Sequence, residues 1–81
     1  MTLGAFIKTR RKTTGITQKK VSDALGWSSA QFVSNIERGT ANLPADKVVK
    51  MARILKTEPE ILVRLHVRQY TTEFTNLVFG K

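Results

Sequence analysis

Apolar residues recur along the chain at intervals of three and four, in short runs separated by glycine, threonine and proline. Leu3, Phe6 and Ile7, followed by Arg10 and Arg11, hold this spacing up to Thr13-Thr14-Gly15. The spacing predicts a helix, and a glycine free to turn left-handed closes it. A second helix follows, capped at Thr17, striped by Val21, Ala24 and Leu25, and stopped by Gly26. The third opens on Ser28-Ser29-Ala30-Gln31 and ends at Gly39, with Val33 and Ile36 facing inward. Ser28 followed three positions later by Gln31 fits a capping box, in which each side chain satisfies the other's orphan backbone donor. A fourth helix over residues 45–56 turns Val48, Met51, Ala52 and Leu55 inward, with Met51 as core filling, and Lys47, Lys50 and Arg53 outward. The fifth starts near Thr57 to Glu60, tolerates Pro59 in its first turn, and buries Ile61, Leu62 and Leu65.

The last stretch, residues 66–81, supports two readings. Tyr70, Phe74, Leu77 and Val78 make a helical stripe, whereas Thr71, Thr72, Thr75 and Val78 suit a strand. Its bulky apolar residues either close the core or form a subunit contact.

Composition narrows the class. A chain of 81 residues holds one core, and 41% hydrophobic with 25% charged residues is ordinary for a soluble globular domain. With no cysteine there is no disulfide scaffold and no thiolate zinc site. Fourteen Lys and Arg against six Asp and Glu give a net charge of +8. Lys8, Arg10, Arg11, Lys12, Lys19 and Lys20 fall within residues 1–20 with no acid among them. This balance points to a polyanionic partner, nucleic acid ahead of an anionic membrane, against the plainer reading of a solvated face. Neither a signal peptide nor a membrane span is visible, so a complete, cytoplasmic protein starting at Met1 is expected. His66 stands outside any motif and is expected at a surface or interface. Asp23, Glu37, Asp46, Glu58, Glu60 and Glu73 make no metal-ligand or paired-carboxylate spacing. An enzyme is therefore not expected, nor a cofactor. Phe6, Trp27, Phe32, Tyr70, Phe74 and Phe79 do not gather on one predicted face, which argues against a single-strand RNA reader.

The third helix carries the candidate chemistry. Gln31, Ser34, Asn35 and Arg38 fall away from its apolar side. Amides and hydroxyls on an outer face, in place of Glu and Lys, are the groups that pair with base edges.

The run Ile16-Thr17-Gln18, Leu25-Gly26 and Ile36-Glu37-Arg38-Gly39, with Arg11 four residues before Gly15, resembles the helix-turn-helix of Cro and phage-repressor-type proteins, the xenobiotic-response-element family. The resemblance covers about residues 3–65. It implies an all-α, five-helix lambda-repressor-like DNA-binding domain over residues 1–65 and a C-terminal extension, 66–81, for dimerisation or core closure. It implies a third helix lying in the major groove. Gln31 and Asn35 would pair bidentately with adenine, Ser29 and Ser34 would meet bases or phosphates, and Ala30 a thymine methyl. Thr17, Gln18 and Ser28 complete the contacting set, Gln18 on a phosphate, with Arg38, Thr40 and Asn42 as further phosphate ligands. Arg11 and Glu37 match a family ion pair between the first and third helices. Plainer roles stand beside these: Gln31 as a cap only, Gln18 solvating a helix end, Asn35 as an ordinary exposed amide, Trp27 packed in the turn.

Three departures from the family pattern stand out. The turn from Gly26 to Phe32 is one residue longer than usual, which shifts the register of Ser29 to Gln31 by a position. Ser22 replaces the usual alanine, still small enough for close helix approach. Lys56 stands where a glycine often ends the fourth helix, so a differently shaped junction is expected. The function implied is a sequence-specific double-stranded DNA-binding regulator, a repressor on a palindromic operator as a homodimer. The alternative is a protein-binding adaptor or antitoxin-type partner.

Overall fold

Thr2 opens the first helix by accepting the Ala5 N–H on its hydroxyl oxygen at 3.1 Å, and α1 runs over Leu3–Thr14. Gly15 ends it at φ 73°, its N–H returning to the carbonyls of Arg11 and Lys12. Thr17 caps α2, Gln18–Ala24, in the same manner, accepting the Lys20 N–H at 3.1 Å. Helix α3 spans Gln31–Arg38 and closes on Gly39 at φ 82°. A 3₁₀ turn, Ala45–Lys47, leads into α4, Val48–Ile54. Residues 59–68 form α5, with Pro59 in its first turn. The computed structural model describes residues 1–68, and among these every regular element is helical. Tyr70, Thr71, Thr72, Phe74, Thr75, Leu77 and Val78, on which the two readings of the C-terminal stretch turn, lie outside the described residues. So does most of the extension; α5 itself continues through residue 68.

The core takes residues from every helix: Leu3 and Ile7, Val21 and Leu25, Val33 and Ile36, Val48 with Met51 and Ala52, and Leu62, joined by Leu43 and Leu55 from the connections. Two positions differ from the expected stripes. Ala24 is exposed, and Ser22 is buried in its place. At about 100° per residue, Val21, Leu25 and Ser22 share one arc while Ala24 falls on the far side of Val21. Ile61 is also exposed, because α5 is rotated to bring His66 inward beside Leu62, with Leu65 half-buried. His66 is thus not a bare surface residue: its Nε2 lies 2.8 Å from the Leu43 carbonyl oxygen.

The capping box expected at Ser28 does not form. Helix α3 starts at Gln31, after Ala30, which has no capping side chain. Instead the Ser29 hydroxyl accepts the Gln31 N–H at 3.0 Å, and the Gln31 amide turns along the helix. Gln31 is the first helical residue, and a box needs its glutamine at the third.

Two close approaches set the helix arrangement. Gly4 is buried where α1 crosses the end of α3; a β-carbon there would lie 2.7 Å from the Glu37 carbonyl oxygen and closer still to that of Ile36. Arg10 reaches from α1 to the end of α4, donating Nε to the Leu55 carbonyl at 2.9 Å and Nη2 to that of Lys56 at 2.7 Å. The junction beyond α4 keeps the shape a glycine would give it, since Lys56 itself takes the left-handed conformation at φ 55°. Arg10 satisfies the carbonyls that this closure exposes.

Replacing Lys56 by glycine removes the left-handed penalty, and urea unfolding should show about 1 kcal/mol of added stability. A loss would mean that the lysine side chain stabilises the junction by more than its backbone costs. Gly4→Ala should lower stability by about 1–3 kcal/mol through overpacking, and an unchanged unfolding midpoint would contradict the close approach.

Candidate nucleic-acid interface

Helix α3 divides cleanly by face. Val33, Ile36 and Glu37 are buried, whereas Gln31, Ser34, Asn35 and Arg38 lie on the opposite arc of about 100°. Gln31 and Arg38 are exposed; Ser34 and Asn35 are half-buried between them.

The inward side is held by a charge. The Glu37 side chain is only 2% exposed, and its carboxylate is bracketed by Arg11, with Nε at 2.6 Å from Oε2 and Nη2 at 3.2 Å from Oε1. Gln18 donates its Nε2 to Oε1 at 3.0 Å, and Arg11 also donates Nη1 to the Ile16 carbonyl at 3.1 Å. One carboxylate therefore ties α1, the start of α2 and the end of α3 together. Paired and bidentate, the charge is tolerated at a depth where a lone carboxylate is not. The Arg11–Glu37 pair was implied by the family resemblance; the part taken by Gln18 was not. A glutamine at a helix start carries no signal of which neighbour its amide meets.

The turn before α3 is fastened from α2. Ser22 donates its hydroxyl to the Ser29 carbonyl at 2.8 Å, with the Trp27 carbonyl at 3.2 Å. Trp27 packs in the turn as expected, half-buried and edge-on to Phe32 with ring centroids 4.6 Å apart. Ser28 and Ser29 are exposed on this turn and Ala30 is half-buried.

The remaining candidates lie at helix ends or in the loop after α3. Thr17 is exposed, with its hydroxyl oxygen used as the α2 cap. Thr40 donates its hydroxyl to the Asn35 carbonyl at 3.1 Å and so closes α3. Asn42 is exposed in the following loop. Arg10, part of the basic N-terminal run, sits apart: its guanidinium is turned to the Leu55 and Lys56 carbonyls beyond α4 and serves a structural contact. Asn35 is also engaged. Its Oδ1 accepts from Gln31 Nε2 at 3.0 Å and from Arg38 Nη2 at 2.6 Å. With that oxygen taken, the two-way pairing with adenine expected of Asn35 is not open to it in this arrangement. The signal for the cluster was present in the sequence as i, i+3 and i, i+4 spacing of hydrogen-bonding side chains.

Two short helices joined by a fastened turn, braced by three others and showing a polar outer row on the second, define a helix-turn-helix domain. The sequence model of the helix-turn-helix family matches residues 7–62, and the chain belongs to this Cro/C1-type family of DNA-binding transcriptional regulators. No curated protein matches the chain in sequence. Among solved structures it is similar to the restriction-modification controller protein C.AhdI from Aeromonas hydrophila, at 27% identity and a TM-score of 0.66, covering 74% of this chain and 89% of that one. The clp gene regulator ClgR from Corynebacterium glutamicum shares the fold at 17% identity and a TM-score of 0.69, covering 96% of this chain and 82% of that one. A point mutant of the restriction-modification controller protein C.Esp1396I does so at 20% identity and 0.63, covering 85% and 86%. Among the described residues, no helix is long and apolar enough to cross a membrane.

Arg11→Met strands the buried Glu37 carboxylate and should cost about 3–5 kcal/mol in urea unfolding. Adding Glu37→Leu to the same chain should recover much of that loss, because the double variant buries no unpaired charge. A single-variant cost below about 1 kcal/mol would place the pair among weak surface contacts.

Proposed function

We propose that this protein is a sequence-specific double-stranded DNA-binding regulator that represses by occupying a palindromic operator as a homodimer. The observation that carries the reading is the outer row of α3, where Gln31, Ser34, Asn35 and Arg38 lie away from the core on a helix whose other side is anchored through Glu37. A polar row of this kind on a braced helix fits the major groove. Helix α3 has eight residues and can cover only a few base pairs, so a two-fold repeat is the economical way to specify a site. The net charge of +8 supplies the sequence-independent part of the attraction.

In this reading Gln31, Asn35 and Ser34 meet base edges, and Ala30 meets a thymine methyl. Ser28, Ser29, Thr17, Gln18, Arg38 and Asn42 complete the contacting surface toward the backbone. The similarity to controller proteins of restriction-modification systems and to a gene regulator supports a role in transcription. The extension beyond residue 65 is the proposed place for dimerisation or core closure.

Selection from a random duplex pool at about 150 mM salt tests the reading. The expected product is a two-fold symmetric motif with half-site centres about 34 Å apart. Gln31→Ala should then lose about 1–3 kcal/mol and relax one position of each half-site. Replacing exposed Lys19 should weaken all duplexes alike and flatten the salt dependence. A chain that only recruits a protein partner would enrich no motif and bind duplexes with the electrostatic background alone.

A further inference from the structure

The outer row of α3 is cross-linked by hydrogen bonds before any ligand arrives. Arg38 Nη2 donates to Asn35 Oδ1 at 2.6 Å, and Gln31 Nε2 donates to the same oxygen at 3.0 Å. A guanidinium has donors only, so the Asn35 atom that faces it is the amide oxygen. With that atom fixed, the Gln31 atom facing it must be the amide nitrogen. The orientations of both amides therefore follow from the chemistry of the three groups together. An amide oxygen has two lone pairs, and here both have donors. Asn35 is left with Nδ2 and its hydrogens to offer outward. Gln31 keeps its Oε1 and the second hydrogen of Nε2.

These two residual patterns suit different bases. Adenine in the major groove presents an acceptor, N7, beside a donor, the N6 amino group, and a bidentate partner must supply one of each. Gln31 still can; Asn35 cannot. Guanine presents two acceptors, N7 and O6, which match a donor-only amide. Adenine opposite Asn35 would leave its N6 amino group facing another donor. Cytosine offers a donor, and thymine a single acceptor. An unpaired polar group is costly once the groove has been emptied of water, so the mismatch discriminates.

We propose that Arg38 is a specificity-positioning residue: by holding the Asn35 amide oxygen, it makes Asn35 read guanine and leaves adenine to Gln31. The inference rests on the DNA-binding reading given above. The hold is charge-assisted, and it restrains Asn35 from both sides in sequence, at i−4 and i+3. Arg38 acts here through Asn35 and not on a base.

Selection of bound duplexes by the full chain at about 150 mM salt, run in parallel on wild type, Asn35→Ala, Arg38→Met and Arg38→Lys, tests this. Asn35→Ala locates the base pair that Asn35 reads, as the position whose preference relaxes. Wild type should show guanine there. Arg38→Met frees the amide to turn over, and the preference for guanine over adenine at that pair should fall about tenfold while the rest of the motif is kept. Arg38→Lys, which still donates, should restore most of it. Adenine at the Asn35 pair in wild type would overturn the proposal, and this result stands even where a variant folds poorly. So would an Arg38→Met chain that binds every duplex more weakly with its guanine preference intact, since Arg38 would then be a phosphate contact and nothing more. A wild type that enriches no motif overturns the DNA-binding reading itself, and this inference with it.

Discussion

The buried carboxylate of Glu37 is the constraint from which the interface follows. A charge with 2% of its side chain exposed is tolerable only where its donors are fixed, and those donors come from two other helices. Arg11 brings α1 and Gln18 brings the start of α2, so the three helices meet at one point with little freedom to rotate. Since Glu37 must face inward, the residues opposite it on α3 must face out. The direction of the outer row is thus a consequence of where one carboxylate finds its partners. Gly4 makes this meeting possible at short range: without a β-carbon, α1 lies against the last carbonyls of α3.

The same economy appears at the other helix ends. A domain of this size has little apolar surface to bury, and long side chains fasten its connections to backbone oxygens. Arg10 closes the end of α4, His66 sits on the Leu43 carbonyl, and Thr40 closes α3. Each bond contributes on the order of 1 kcal/mol, and those of Arg10 and His66 also give a donor to carbonyls at a connection, where an unpaired group costs more; the Asn35 carbonyl already accepts the N–H groups of Thr40 and Ala41. Arg10 and Arg11 are neighbours in sequence with similar appearance and opposite destinations. One turns to carbonyls of α4 and the other to a carboxylate of α3, because successive residues on a helix point about 100° apart.

This explains how much could be read from the sequence. Five helices, the glycine closures at Gly15 and Gly39 and the inward Val33 and Ile36 were legible, because each depends on local spacing; the Arg11–Glu37 pair, 26 residues apart in sequence, followed only from the family resemblance. What was hidden depends on partners distant in sequence. Nothing around Gly4 announces that α3 passes within contact of it. Nothing near Lys56 shows that Arg10 will stabilise its left-handed closure, and the basic N-terminal run reads as one electrostatic patch when part of it is structural. At helical spacing Ala24 and Ile61 fit an inward stripe as well as their neighbours do; the inward arcs instead pass through Ser22, which is buried, and His66, which is half-buried, and the polar atoms of both find backbone partners. On α3 the outward row was visible but not its internal bonding. Spacing brings Gln31, Asn35 and Arg38 into reach of one another, and only the placed side chains decide which atom each presents.

The long turn before α3 and the serine on α2 are best understood together. An extra residue between the two helices lengthens the path and would let α3 slide or tilt, which for a reading helix means a loss of register. Ser22, where the resemblance implies alanine, is buried on α2 beside this turn. Its hydroxyl bonds the Ser29 carbonyl at 2.8 Å and lies 3.2 Å from that of Trp27, both within the lengthened segment. An alanine there would keep the packing and leave those carbonyls without that donor. The two departures from the family pattern thus offset one another: the added length is gathered in by the added hydroxyl. With the turn fastened on one side and Glu37 on the other, α3 is held at both ends, and the amides between them can keep a fixed orientation.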